Sequence, residues 1–371
     1  MINPNEFLNE LTKLDLNFFT GVPDSLLKNF LTTLNDLDYK KHIIATNEGS
    51  AIGIAIGYNL STNKVPMVYL QNSGLGNIIN PILSLADKEV YSIPMIIMVG
   101  WRGEPDIKDE PQHLKQGRVT LDLIESMNYH YEILSKDLDK ANVQMSNLIK
   151  LTKEENKPVF VVVKKDTFSK TETVKKEHPN KLERESAIKE ICKSIENDDL
   201  IISTTGKSSR ELYEVRKTYN KQNDFLTVGG MGHANQIALG VALFSNKKNV
   251  YCIDGDGAIL MHMGGLVQIA NAPLENLCHI IINNYSHESV GGQPTLGDKI
   301  SFSSVCKSIG YTDAYRVSDE EELKKAIKMF KQKKGIFCIE VLCSSSSRND
   351  LGRPTTSPLE NKVSFKRKIV E

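Results

Sequence analysis

Apolar residues along this chain come in short unbroken runs and do not alternate with polar ones. Phe18-Phe19-Thr20, His42 to Thr46, Met67 to Leu70, Ile93 to Val99 and Val159 to Val163 mark the first half. Leu200 to Ser203, Phe225 to Val228, Val250 to Ile253, Leu277 to Ile282 and Gly335 to Leu342 mark the second. A strand that is apolar at every position is covered on both faces, so the pattern predicts parallel sheets with helices above and below. Helical stretches separate the runs. The first opens at Asn3-Pro4, a cap followed by an N1 proline, and carries Phe7, Leu8, Leu11 and Leu14 on one face. From Lys164 to Glu185 periodicity gives way to Lys, Glu, Thr and Ser around Pro179, which predicts a linker. The expected organisation is α/β: a doubly wound parallel-sheet domain over 1–168, a linker over 169–185 and a second such domain over 186–371. No short-period repeat is visible, so any kinship between the halves is one of fold.

Composition narrows the function. A chain of 371 residues is long enough for two cores. The 46 basic and 46 acidic residues balance, which argues against nucleic-acid or membrane-surface partners. The N-terminus lacks a basic-then-apolar signal pattern, and a run such as Ile93 to Val99 is far too short to span a bilayer, so a cytoplasmic protein is expected. Cys192, Cys252, Cys278, Cys306, Cys338 and Cys343 form no Cys-x-x-Cys pair, and several lie in apolar runs, which predicts buried thiols.

The densest chemistry lies where Val250-Tyr251-Cys252-Ile253 runs into Asp254-Gly255-Asp256-Gly257-Ala258. A helix is predicted next, from Ile259 to about Asn271, and then the run Leu277 to Ile282, ending in Asn283-Asn284. Two neighbouring parallel strands thus place a carboxylate and an amide oxygen side by side. Gly255 and Gly257 allow a ligand close to the backbone, and the helix turns its N-terminus toward an anion. These donors suit Mg²⁺ holding a diphosphate, since Mg²⁺ takes few protein oxygens together with phosphate and water. A lone Gly-Asp-Gly is equally a turn with an Asx cap. With Asn-Asn ending the next strand, the pair resembles the signature of thiamine diphosphate-dependent enzymes.

That resemblance implies that Asp256, the Asn284 side chain and the Ser286 carbonyl are the Mg²⁺ ligands, with Gly257 and Ala258 beside the cofactor. It implies that Glu48, in Ala45-Thr46-Asn47-Glu48-Gly49, is the carboxylic acid paired with the cofactor's aminopyrimidine. By its residues alone Glu48 is equally an N-terminal helix carboxylate. Thr227-Val228-Gly229-Gly230-Met231-Gly232-His233 resembles the aminopyrimidine loop, with the Gly229 carbonyl as acceptor and Met231 as an apolar wedge; core filling is the other reading of Met231. Thr204-Thr205-Gly206-Lys207-Ser208 looks like the second diphosphate loop, with Gly206, Lys207 and Ser208 as contacts. The family joins Glu48 of one chain to Asp256 of another, which implies a homodimer or larger homo-oligomer. The chain between these residues is too short for the central third domain that many relatives carry.

Four segments resemble the phosphonopyruvate decarboxylase family: Phe18 to Lys28, Gly100 to Arg118, Asn284 to Thr295 and Ser347 to Pro354. The resemblance implies decarboxylation of 3-phosphonopyruvate to phosphonoacetaldehyde in phosphonate biosynthesis, with sulfopyruvate decarboxylase as the alternative. A small 2-oxo acid bearing several negative charges needs polar donors to gather it. Asp24, Ser25, Arg102, His113, Lys115, Arg118 and His287 are the candidates. Pro23-Asp24-Ser25 reads equally as a helix start, and His113, in a stretch read as a loop, is a candidate for proton transfer or phosphonate binding. Gly291 to Thr295 resembles a segment that closes over the site. An acetolactate synthase-like carboligase would carry the missing central domain, and a non-enzymatic regulator would lack the acid at position 48.

Overall fold

The computed structural model of the chain describes residues 1–171, 179–219, 223–245, 248–345 and 347–370. Part of the expected linker, residues 172–178, lies outside the described residues. Two compact units are present, Met1–Lys175 and Lys176–Glu371.

The first unit contains β1 (Phe19–Gly21), β2 (His42–Ile44), β3 (Met67–Gln71), β4 (Ile96–Gly100), β5 (Tyr131–Ile133) and β6 (Val159–Val163). They form one parallel sheet in the order β2-β1-β3-β4-β6-β5. Every residue of β4 and β6 is buried, because the alternating side chains feed two separate cores. Ile96, Met98, Val159 and Val161 enter one core with Phe7, Leu11 and Phe30. Ile97, Val99, Phe160 and Val162 enter the other with Ile52, Ala55 and Ile78. A continuous apolar run is what such a two-sided strand requires.

The second unit contains β7 (Leu200–Ser203), β8 (Phe225–Leu226), β9 (Val250–Gly255), β10 (Asn276–Asn283), β11 (Ser286–His287), β12 (Gln293–Pro294), β13 (Asp313–Val317) and β14 (Gly335–Leu342). Its main sheet is parallel in the order β13-β14-β10-β9-β7-β8, while β11 and β12 form a small antiparallel ribbon. Read from its other edge, this order repeats that of the first sheet. In each unit the first strand stands next to the third, and the chain leaves these two toward opposite edges. That is the topological switch point at which open α/β sheets bind ligands, beyond the carboxyl ends of the strands.

Three local expectations are corrected. The helix predicted from Ile259 to about Asn271 is two helices, Asp256–Met261 and Gly265–Ala270. The break falls before Gly265, where a Cβ would lie 2.5 Å from the Gln236 amide nitrogen. His113 is not in a loop but in the first turn of the helix Pro111–Ser126, which Pro111 opens at N1. The run at Ile93 begins its strand only at Ile96, past Pro94, which has no N–H for the ladder. The cysteines are buried thiols as expected, and among the described residues no helix is long and apolar enough to cross a membrane.

Candidate active site

In the second unit the switch point falls between β7 and β9, and the expected cofactor residues cluster beyond it. Asp256 follows the last residue of β9, and its carboxylate is almost fully buried. Thr295 Oγ1 donates to its Oδ2, and the backbone N–H groups of Gly257 and Tyr285 donate to the carboxylate as well. Burial dominates over these donors and raises its pKa to about 6. The Tyr285 N–H matters for geometry, because Tyr285 lies between the two other expected ligands, Asn284 and Ser286. Asn284 Oδ1 accepts from the Ser286 N–H at 3.2 Å, and Tyr285 adopts a left-handed φ of 59°. Such a conformation at a non-glycine residue costs on the order of 1–3 kcal/mol and persists where its surroundings impose it. The Asp256 carboxylate is therefore hydrogen-bonded to the tight turn that carries Asn284 and Ser286. Gly297 seals its side: a Cβ there would stand 2.6 Å from Asp256 Oδ2 and 2.4 Å from Asn283 Oδ1.

Beyond β7, Gly206 adopts a φ of 97° and Lys207 opens the helix Lys207–Thr218. The N–H groups of that first turn are the ones a helix leaves without intrahelical acceptors. Ser208 is buried there. Lys207 Nζ donates to Glu288 Oε1 and to Ser347 Oγ, each at 2.7 Å, so it is not a merely solvated lysine. Gly230 and Gly232, which flank Met231, have φ of 63° and 88° and shape a loop that only glycine adopts readily. Gly257 lies where that loop meets the ribbon β11–β12: a Cβ on it would stand 2.9 Å from His287 Cε1 and 3.3 Å from Met231 Cε. Met231, Gly257 and His287 therefore share one spot. Gly229 is half-buried at the start of the same loop, and Ala258 is buried one residue further along the chain than Gly257. Burial pushes His287 down to about 4, so its imidazole is neutral near pH 7.

In the first unit the expected acid comes after β2. Glu48 is the first residue of the helix Glu48–Thr62, whose cap Asn47 accepts from the Ser50 N–H at 2.8 Å. The Glu48 side chain is turned inward and buried, and Asn77 Nδ2 donates to its Oε2 at 2.7 Å. Burial outweighs that hydrogen bond and raises its pKa. Gly74, after β3, makes room for the carboxyl, since a Cβ there would stand 2.4 Å from Glu48 Oε1. Glu48 is a helix-start residue and a buried acid at once.

After β1, Asp24 is fully buried. Its Oδ1 accepts from the N–H groups of Leu26 and Leu27 at 2.9 and 3.1 Å, which closes the turn before the helix Lys28–Leu34; that helix has Leu27 at its cap and no side-chain acceptor there, so neither Asp24 nor Ser25 caps it. Asp24 Oδ2 is buried with no hydrogen-bond partner among the described residues, and burial raises the group to about 6. Next to it, Arg102 Nη1 donates to Ser25 Oγ at 2.7 Å. Arg102 also forms a two-pronged pair with Asp109, with Nε to Oδ2 at 2.8 Å and Nη2 to Oδ1. Asn72 pins the Arg102 backbone from both sides, accepting from its N–H at 3.1 Å and donating to its carbonyl at 2.7 Å. His113 is buried one helical turn beyond Glu110, and Gly103, at a φ of 70°, leaves no room for a Cβ against the His113 carbonyl. Lys115 and Arg118 are at the surface or turned from this group; Arg118 Nε folds back to the Leu114 carbonyl at 3.3 Å. Sequence reasoning missed Asp109, Glu288, Asn77 and Thr295. Asp109, Glu288 and Thr295 lie inside segments it singled out, but nothing in their spacing says which side chain each one meets.

Comparison with known proteins identifies the family of both units. Residues 6–125 match the thiamine pyrophosphate enzyme N-terminal TPP binding domain, and residues 204–341 match the C-terminal TPP binding domain. The chain is 30% identical to phosphonopyruvate decarboxylase of Streptomyces viridochromogenes, over 97% of this chain and 93% of that protein. It is 27% identical to sulfopyruvate decarboxylase of Methanosarcina acetivorans, over 99% and 97% of the two chains. It is also 38% identical to sulfopyruvate decarboxylase subunit beta of Methanothermobacter thermautotrophicus, over 40% of this chain and 77% of that one.

Proposed function

Because this chain belongs to the phosphonopyruvate decarboxylase family of thiamine pyrophosphate enzymes, we propose that it converts 3-phosphonopyruvate to phosphonoacetaldehyde and CO₂ with thiamine diphosphate held through Mg²⁺. The observation that carries the cofactor reading is that the tight turn carrying Asn284 and Ser286 is tied, through the Tyr285 N–H, to the Asp256 carboxylate just past β9. These are hard oxygen donors, few in number, as Mg²⁺ with a diphosphate prefers. Asp256, the Asn284 amide oxygen and the Ser286 carbonyl would hold the metal. Gly206, Lys207 and Ser208 would hold the diphosphate at a helix N-terminus, with Gly257 and Ala258 alongside. The Gly229 carbonyl would accept from the aminopyrimidine, which Met231 would support from below.

When bound, thiamine diphosphate supplies the nucleophilic carbon and the electron sink that loss of CO₂ requires. Glu48 supplies the proton-sharing acid: its buried carboxyl favours the protonated form, with which it can donate to a ring nitrogen. Decarboxylation replaces a carbon–carboxylate bond with a carbon–hydrogen bond, so a proton must be delivered. Asp24 Oδ2 and His113 are the groups in the first unit for that task, with phosphonate binding as the other role open to His113. Arg102 is locked by Asp109 and presents Ser25 in one orientation. His287, neutral beside Met231 and Gly257, would face the substrate from the second unit.

Oligomerisation belongs to the same reading. The helix Glu48–Thr62 carries Gly53 and Gly57 with open space about them, together with the exposed Leu60. The helix Ala234–Phe244 carries Gly240 and the exposed Leu243 and Phe244. Exposed apolar and glycine-lined faces of this kind fit a homodimer or larger homo-oligomer, and one relative is itself named as a subunit. A place in phosphonate biosynthesis follows from the proposed substrate, and the buried thiols, in no disulfide among the described residues, fit a cytoplasmic setting.

The test is phosphorus NMR of the purified protein with thiamine diphosphate, Mg²⁺ and phosphonopyruvate, with sulfopyruvate in parallel under an aldehyde-coupled assay. Formation of phosphonoacetaldehyde with poor use of sulfopyruvate is expected. Preferential turnover of sulfopyruvate would overturn the substrate assignment and leave the cofactor assignment standing.

A further inference from the structure

We infer that Glu288 is a positioning residue for the metal site, setting which end of the Asn284 amide faces the cation. The inference rests on the metal reading above and deepens it.

A carboxamide is nearly symmetric in shape, yet only its oxygen can ligate a cation; flipped, it would present two N–H groups to a positive charge. Something must decide the orientation. Asn284 Nδ2 donates to Glu288 Oε2 at 3.3 Å, while Oδ1 accepts from the Ser286 N–H. A carboxylate can only accept, so Nδ2 is fixed toward Glu288 and Oδ1 toward the turn that carries Ser286. Giving an N–H to a carboxylate also draws amide electron density onto the oxygen, which improves it as a ligand. Outer partners of metal ligands work in this way.

Glu288 is itself held from several directions. Its Oε1 accepts from Lys207 Nζ at 2.7 Å, and its Oε2 accepts from Arg184 Nη1. Arg184 is buried and clamped on its other edge by Glu211, with Nε to Oε2 and Nη2 to Oε1 both at 2.7 Å. The four groups alternate in sign along Glu211, Arg184, Glu288 and Lys207, so the carboxylate stands compensated in a poorly solvated place. The chain ends on Lys207, in the diphosphate loop beyond β7. One carboxylate thereby ties that loop to the metal turn beyond β10, and neither partner carries a sequence signal for it.

The experiment is a Mn²⁺ titration of the full chain with thiamine diphosphate present, with free ion read by electron paramagnetic resonance. Glu288→Gln keeps the volume but lets the new amide meet Asn284 with either end. It is expected to weaken Mn²⁺ by about 10- to 100-fold, the usual cost of losing an outer partner. Glu211→Gln breaks the same buried chain at Arg184 without touching Asn284 and is expected to leave Mn²⁺ affinity within about threefold, since it leaves the Glu288 carboxylate and its contact with the amide in place. If Glu288→Gln does not fold, Glu288→Asp replaces it, keeping the charge but shortening the reach to Asn284, with the same expectation. Wild-type affinity in the Glu288 variant, or equal losses in both positions, would overturn the inference. Asp256→Ala is titrated alongside: if it too binds Mn²⁺ normally, the metal site itself is misplaced, and the failure belongs to the underlying reading.

Discussion

Replacing Asp24 by Asn should make this protein more stable and less active, and the gain can be worked from the structure. Burial of Asp24 raises its pKa from 3.8 to about 6. Each tenfold gain in proton affinity on folding is worth about 1.4 kcal/mol, so the ionised group costs the fold about 3 kcal/mol at pH 7–8. The sign follows from proton uptake. Between pH 4 and 6 the folded chain holds a proton that the unfolded chain releases, so stability falls as pH rises through that window and is level above it. Asparagine keeps the Oδ1 acceptor for the Leu26 and Leu27 N–H groups and removes the charge. Its other end stands where Oδ2 already has no hydrogen-bond partner among the described residues, so one neutral unsatisfied group takes the place of a charged one. For a domain of this size, 1 kcal/mol moves the midpoint by about 2–4 °C, giving roughly 6–12 °C at pH 8. Thermal unfolding of both proteins by circular dichroism from pH 4.5 to 8 measures it. The advantage of Asp24→Asn should grow from pH 4.5 to about 6 and then hold steady, with turnover depressed throughout. A variant no more stable than wild type at pH 8 would refute the claim that an ionised carboxylate is being forced into that site.

Glu48→Gln should abolish turnover while leaving thiamine diphosphate affinity within a few fold, because the amide fits beside Gly74 but has no acidic proton; equal turnover in stopped assays would remove Glu48 from the mechanism. Gly297→Ala places a methyl against both Asp256 Oδ2 and Asn283 Oδ1, so Mg²⁺-dependent cofactor binding, read by calorimetry, should weaken by at least tenfold; unchanged binding would show that the Asp256 carboxylate is not held where the cation needs it.

What was legible in the sequence follows from what each feature depends on. A central strand such as β6 appears residue for residue, because burial on both faces demands an unbroken apolar run. The edge strands β5 and β13 were missed, since partial exposure lets polar residues such as Glu132, Asp313 and Arg316 into them. Asp256, Asn284 and Glu48 were readable because each comes just after an apolar run and is framed by residues that a bound cofactor needs. The helix at His113 was misjudged although Pro111 stood in view as an N1 signal. Asp109 and Glu288 could not be read at all: each acts through a cation or amide whose proximity exists only after the chain has folded.

The two sheets explain why the acid and the metal donors fall where they do. Both have the same strand order, and in both the loops beyond the switch point carry the chemistry. The first unit keeps a carboxyl there away from cations: among the described residues Glu48 meets the Asn77 amide alone as a side-chain donor, and burial raises its pKa. The second unit surrounds its carboxylates with donors, Thr295 and two backbone N–H groups on Asp256, and Lys207, Arg184 and Asn284 on Glu288. In the reading proposed above one scaffold would supply a proton-sharing acid and a cation site; burial raises the pKa of both Glu48 and Asp256, and the two differ in that Asp256 accepts from more donors. A decarboxylase that uses thiamine diphosphate needs both, since the aminopyrimidine end of the cofactor calls for an acid and the diphosphate end for a metal.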